Sequence, residues 1–222
     1  MLQDGIRLFN QRNWDDALRE LKQVHIGNES TEAIELAYYL GLCYAKLKYY
    51  DEALLCLEQV VSDGKNTLRV HQCRLTLAYI YVITNRTKLA LFELERIQNS
   101  GSEDARLYTI LGFAAWMEKE YDQALDYYRK AIKLDDQNTT AINGLGYILV
   151  DTNKNLEQGT SLCKLAVNRS PQNAAYLDSL GWAYFKKGDT HEANVWLRKA
   201  LDAAPRLQQK EIRNHIKTVA GV

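Results

Sequence analysis

The 222-residue chain lacks most of what small folds use to turn corners or lock themselves. It has only two prolines, Pro171 and Pro205. Proline breaks helix interiors, so its scarcity leaves long helical stretches uninterrupted. Four cysteines occur, Cys43, Cys56, Cys73 and Cys163, and no two stand as Cys-x-x-Cys. Each falls on an apolar position of helical period. They read as small core residues of a reducing compartment, not as a disulfide framework. The four histidines, His25, His71, His191 and His215, have no neighbour at metal-ligand spacing, so no metal is expected. Net charge is absent too, with 28 acidic and 28 basic residues. A polyanion binder needs a basic surplus on one face, so nucleic acid is not an expected partner. The strongest apolar run, "YIYVIT" at 79–84, falls far short of the roughly 18 residues of a membrane span. The N-terminus shows no basic stretch followed by an apolar one. These absences favour a cytoplasmic location, with a periplasmic or lipid-anchored one as the alternative for a piece of an exported protein. Glycine-rich phosphate loops and nucleophile elbows are also missing, so no cofactor and no catalytic residue is expected.

What the chain does have is a period. "YYLGLCYAKLKYYDEALLCLEQV" (38–60) lies over "TILGFAAWMEKEYDQALDYYRKA" (109–131) and "DSLGWAYFKKGDTHEANVWLRKA" (178–200). Each segment shows Leu-Gly, an aromatic or small residue three further on, then an alanine and two spaced apolar positions. The anchors are Gly5, Gly41, Ala78, Gly112, Gly146 and Gly181, at spacings of 36, 37, 34, 34 and 35. A small anchor implies the close approach of another helix backbone. The preceding leucines (Leu40, Leu77, Leu111, Leu145, Leu180) share a helical face with Tyr44, Tyr81 and Tyr184. Ala17, Ala53, Ala90, Ala124 and Ala193 let a second helix approach, and Leu21, Leu57, Leu94, Tyr128 and Leu197 fill the seam. No pair has a polar face wide enough to stand alone, so the pairs must stack.

With these residues in place the chain resembles the tetratricopeptide repeat (TPR) family, W-x2-LG-x2-Y, then A-x3-F, then P, over nearly its whole length. It is most similar to the TPR arrays of bacteria. The resemblance implies an all-α, right-handed superhelical solenoid of about six helix-turn-helix pairs in one domain, 1–222. The repeats are expected at about 1–30, 34–66, 71–101, 105–137, 139–172 and 174–206. A capping helix is expected at about 207–219, with apolar Leu207, Ile212, Ile216 and Val219. Three departures stand out. Asp4 replaces a leucine and shortens the first helix. Repeat five carries an extra residue near "TNKNLEQG", which puts Gly159 in place of alanine. The junctions "HIGNESTEA" and "VSDGKNTLR" are longer than usual.

In such arrays the first helix of each pair lines the concave groove. The expected groove residues are Tyr38, Leu42, Tyr79, Thr109, Phe113, Trp116, Asn143, Tyr147, Asp178, Trp182 and Phe185. Ile6, Leu75, Val82 and Val150 occupy matching positions. The family's clamp for a terminal carboxylate is not reproduced: Tyr39, Gln72 and Thr76 stand there, and Arg106 and Asn143 read as isolated. Asp178 favours a cationic or hydrogen-bond-donating group instead. Asp178 and Ser179 have no histidine on their own helical face, so no triad is expected. Two readings compete for the aromatic stripe. The side chains bury one another across neighbouring first helices, or they form a groove for a peptide or helix of a protein partner. The chain thus reads as a non-catalytic interaction module. The alternative is a self-associating scaffold, a homo-oligomer joined through the groove or the N-terminal seam.

Overall fold

The computed structural model describes residues 2–25, 30–205 and 209–221. Met1, the "IGNE" of the first junction and Leu207 lie outside the described residues. Among the described residues there are thirteen α-helices and no strand. They fall into two compact units, Met1–Ser102 and Glu103–Val222. The first unit holds three helix pairs: α1 (Leu2–Asn10) with α2 (Trp14–Lys22), α3 (Ser30–Leu47) with α4 (Tyr50–Asp63), and α5 (Thr67–Ile83) with α6 (Thr87–Asn99). The second holds α7 (Ala105–Met117) with α8 (Tyr121–Leu134), α9 (Thr139–Asp151) with α10 (Leu156–Arg169), and α11 (Ala174–Lys186) with α12 (Thr190–Ala203). It ends in α13 (Gln209–Ala220). Within each unit every second helix packs on the next first helix, and successive first helices touch. The fold class is therefore the all-α stack of helix pairs that the period predicts. The two long junctions feed longer first helices: α3 has 18 residues and α5 has 17.

The turn inside each pair is set by the backbone. The amide of Asn13, Tyr49, Arg86, Glu120 and Asp189 donates to the carbonyl five residues earlier, at 2.7–3.0 Å. Just before each of these stands a residue with positive φ: Arg12, Lys48, Asn85, Lys119 and Gly188. In repeat five the extra residue is absorbed in this turn, where Asn153 takes the positive φ and the Asn155 amide reaches back six residues to Leu149. Five of the six positions therefore hold a residue with a Cβ where glycine is preferred. Lys48 is exposed, so Lys48→Gly is expected to stabilise unit one by about 1 kcal/mol. Urea unfolding of the variant checks this, and a loss of stability would contradict it. The entry to most first helices is different. Asn66, Asp104, Asn138 and Asn173 accept backbone amides from the first turn, and so terminate the junctions.

The anchors are small mainly because a side chain fills the space above them. A Cβ on Gly5, Gly41 or Gly181 would stand 2.6–2.8 Å from Leu21, Leu57 or Leu197, and one on Gly112 would stand 3.0 Å from the Tyr128 ring. This corrects the expectation that a neighbouring helix backbone alone demands the glycine. Only Gly146 meets backbone at the shortest distance, 3.0 Å from the Gly159 carbonyl. The leucines Leu21, Leu57, Leu94 and Leu197 are wholly buried, and each contributes about 2–3 kcal/mol of burial. Cys43, Cys73 and Cys163 are buried free thiols, and burial pushes each up to about 12. These thiols are inert packing groups.

Candidate partner-binding surface

In unit one the expected groove residues have divergent fates. Leu42 is buried, with 7% of its surface exposed, and Leu75 and Val82 are core residues. These side chains point into the seam between helices and offer nothing to a ligand. Tyr38 is half-buried, packed edge-on to Tyr39 at 5.0 Å, with the Arg69 guanidinium 5.4 Å from its ring centre. Arg69 also pairs with Glu35 of the preceding first helix. Tyr79 is 46% exposed.

In unit two the stripe is more coherent. Phe113 and Trp116 stack on α7 at 5.7 Å, and Trp116 meets the edge of Tyr147 on α9 at 5.7 Å. On α11, Trp182 and Phe185 pack at 5.1 Å. All five rings are half-buried. Trp116 and Tyr147 cover each other across α7 and α9, and all five rings stay partly exposed. Polar groups tie the same helices together. Thr109 donates to the Ala105 carbonyl and accepts from Asn138. The Asn143 amide donates to Ser179 at 3.1 Å, while its side-chain oxygen is buried with no partner. Neither Asn143 nor Arg106 is isolated, contrary to expectation: Arg106 forks onto Asp104 at its own helix entry, at 2.6 Å.

The largest departure concerns Asp178. Its carboxylate accepts from Nδ1 of His215, at 2.9 and 3.0 Å to the two oxygens. The histidine missing from its helical face comes from α13, 37 residues on. The imidazole stacks on Trp182 at 4.4 Å, and Trp182 Nε1 donates to Asp151 at 2.9 Å. Burial, the largest influence, works to lower the His215 pKa. The Asp178 hydrogen bond and the charges of Asp178, Glu211 and Asp151 outweigh it, so it sits above the ordinary histidine value. Tyr147 is pushed up by burial and then by the charges of Asp151, Glu211 and Asp178. Asp151, Glu211 and His215 were not foreseen as part of this surface. Ser179 spends its hydroxyl on the Ala175 carbonyl and the Asn143 amide, so it is a tie between helices and not a nucleophile. Beside Asp151 opens a shallow cleft of about 640 Å³, lined by charges of both signs including Lys119, Glu120, Asp122 and Lys154. Among the described residues no group of three or more His, Cys, Asp or Glu is placed to hold a metal, and no helix is long and apolar enough to cross a membrane.

Stacked helix pairs with small anchors, seam leucines and aromatic first helices define a helical-repeat protein. Three tetratricopeptide repeat family models match residues 2–66, 105–138 and 173–204, more than half of the chain together. The chain belongs to the tetratricopeptide repeat family. A TPR repeat-containing protein of Pseudomonas aeruginosa is 30% identical over 103 residues, 46% of this chain and 18% of the relative. The photosystem I assembly protein Ycf3 of Prochlorococcus marinus is 27% identical over 113 residues, 47% of this chain and 65% of the relative. The chain therefore spans less than two thirds of either relative. Among solved structures, the APC/C Cut9–Hcn1 hetero-tetramer matches with a TM-score of 0.78 at 15% identity, over 98% of this chain and 42% of that one. A TPR protein from Parabacteroides merdae matches with a TM-score of 0.73 at 13% identity, over 97% and 81%. These likenesses establish the fold as an all-α TPR solenoid. TPR proteins generally act by binding other proteins and are generally not catalysts.

Proposed function

We propose that this chain is a non-catalytic interaction module that holds an apolar or aromatic segment of a protein partner against the first helices of unit two. The observation that carries this reading is the half-open set Phe113, Trp116, Tyr147, Trp182 and Phe185. Rings of this size contribute strongly to binding when a partner finishes their burial. Thr109 and Asp178 are already engaged within the chain and contribute by positioning. Of unit one's expected residues, Tyr79 is the more exposed and Leu42 is buried. Photosystem I assembly in the Prochlorococcus relative and the peptide-binding site of YrrB, a TPR protein with a TM-score of 0.51 at 20% identity over 92% of this chain and 97% of that one, belong to the same class of role.

Affinity capture from native cell extract tests the reading. Phe113→Ala and Trp182→Ala, each shown folded by circular dichroism, are expected to lower partner recovery about tenfold or more. Full recovery by both would end the groove reading. A second reading is self-association. It is favoured by exposed apolar side chains of unit one, Leu68 (83% exposed), Leu89, Leu91 and Phe92. Light scattering over a concentration series that shows monomer throughout would remove it.

A further inference from the structure

The last helix occupies the place that the first helix of a seventh repeat would take. It packs on α12 and touches α11, as α11 packs on α10 and touches α9. Its hold is slight. Ile212 is its only buried residue, sharing a cluster with Cys163, Leu177, Leu180 and Ala200. His215, Ile216 and Val219 are half-buried and the remaining described positions but Gln209 are exposed. The four contact positions fall at i, i+3, i+4 and i+7, one stripe of a helix. Three are apolar, and the fourth is a titratable cation seated on an indole and a carboxylate.

The charged and titratable groups facing His215 are acidic in balance. Asp151 and Tyr147 come from α9, Asp178 and Lys186 from α11, and Glu211 from α13 itself. Lys186 is an opposing charge nearby, with Nζ 5.6 Å from the centre of the Trp182 ring on which the imidazole stacks. When α13 leaves, Glu211 leaves with it. Asp178 is then a buried carboxylate without its donor, beside an uncovered indole. Such a pair suits a guanidinium, which lies flat on an aromatic face and bridges both oxygens of a carboxylate. Asp178 already presents both oxygens to His215 at near-equal distance.

We propose that this end of unit two is an exchange site: a partner helix with arginine in the place of His215 and apolar residues in the places of Ile212, Ile216 and Val219 replaces α13. The site rests on the interaction-module reading and lies at the end of the stack, where it shares Trp182 with the aromatic groove. The resident helix is the weaker occupant because its cation is conditional. The charged histidine is favoured when docked, so docking is strongest below the free histidine pKa of about 6.5 and weakens as pH rises through the raised docked value. Arginine keeps its charge throughout.

The probe is a fluorescein-labelled synthetic peptide of residues 209–220, and the same peptide carrying His215→Arg. Both are titrated by anisotropy into the full chain and into a full-length Ile212→Asp/His215→Asp variant, whose changes lie in α13 alone and remove its buried apolar and cationic contacts. The arginine peptide is expected to bind the undocked chain about tenfold or more tighter than the wild type, and Asp178→Asn in the undocked chain to reverse that gain. Between about pH 6 and pH 9 the histidine peptide is expected to weaken and the arginine peptide to hold. Equal binding to both chains, binding to neither, or indifference to Asp178→Asn would overturn the proposal. If Ile212→Asp unfolds the repeats by circular dichroism, His215→Asp alone takes its place under the same criteria. Peptide exchange that succeeds while Phe113→Ala leaves partner capture intact would sink the groove reading alone. The opposite pattern would sink this one alone.

Discussion

Gly159→Ala is expected to destabilise unit two by about 1–2 kcal/mol, the upper range of overpacking costs less alanine's better helix propensity. Gly159 sits in the first turn of α10, against Gly146 of α9. An added Cβ would stand 2.8 Å from the Gly146 carbonyl oxygen and 2.7 Å from a Val150 methyl, with Leu149 Cβ at 3.1 Å. Backbone cannot rotate away as a side chain can, so α9 and α10 must part. The other five pairs carry alanine at this position and meet a leucine or tyrosine side chain across the anchor, or in repeat three have alanine as the anchor itself. Repeat five has glycine on both sides and brings backbone to backbone. Val150 and Cys163, both wholly buried, pack close around this contact. Urea unfolding followed by circular dichroism measures the loss. A change below about 0.5 kcal/mol would mean that the pair is loosely packed.

The second large effect lies in a coupling. Tyr128 fills the seam of repeat four where four of the other five repeats use leucine and repeat five has Cys163, and its longer ring reaches past Gly112 to the next first helix. A Cβ on Gly144 would fall 2.4 Å from the Tyr128 ring carbon that bears the hydroxyl. Tyr128 is 5% exposed. Tyr128→Ala is therefore expected to cost about 3–5 kcal/mol. Gly144→Ala alone is expected to cost about 2 kcal/mol through the clash. In a Tyr128→Leu background the same change is expected to be neutral or stabilising by up to about 1 kcal/mol, since only the helix preference for alanine remains. The double-mutant cycle then gives a coupling of about 2 kcal/mol or more. Additive costs would show that ring and glycine do not share one space.

These two sites also mark how far the sequence reading reached. The departure at Gly159 was legible, because the period put alanine at that position in every other repeat. Gly144 was not, since it lies two residues before an anchor and matters only because Tyr128 is longer than leucine. The helix pairs and the buried seam were legible because they repeat, and repetition exposes which positions a packing rule controls. The surface was legible only in part. The stripe drawn at fixed offsets along all the repeats takes in aromatic rings of unit two that pack together, but it also swept in Leu42, which is buried. Its offset matches Tyr79 and Phe113, whereas its rotation into the seam depends on how α3 meets α5. The Asp178–His215 contact was invisible for a different reason. It joins a repeat to a helix outside the period, so no register predicted which residue of the cap would face the carboxylate. Nor does any break in spacing mark residues 102 and 103 as a division between units: Ala78 to Gly112 is an ordinary 34 residues.

The most direct test of the account is hydrogen–deuterium exchange on the chain with and without its captured partner. Slowed exchange confined to α7, α9 and α11 is the predicted result, since binding raises the opening free energy of the helices it covers. Protection confined to the second helices, or to α6 with its exposed Leu91 and Phe92, would place the partner elsewhere and contradict it.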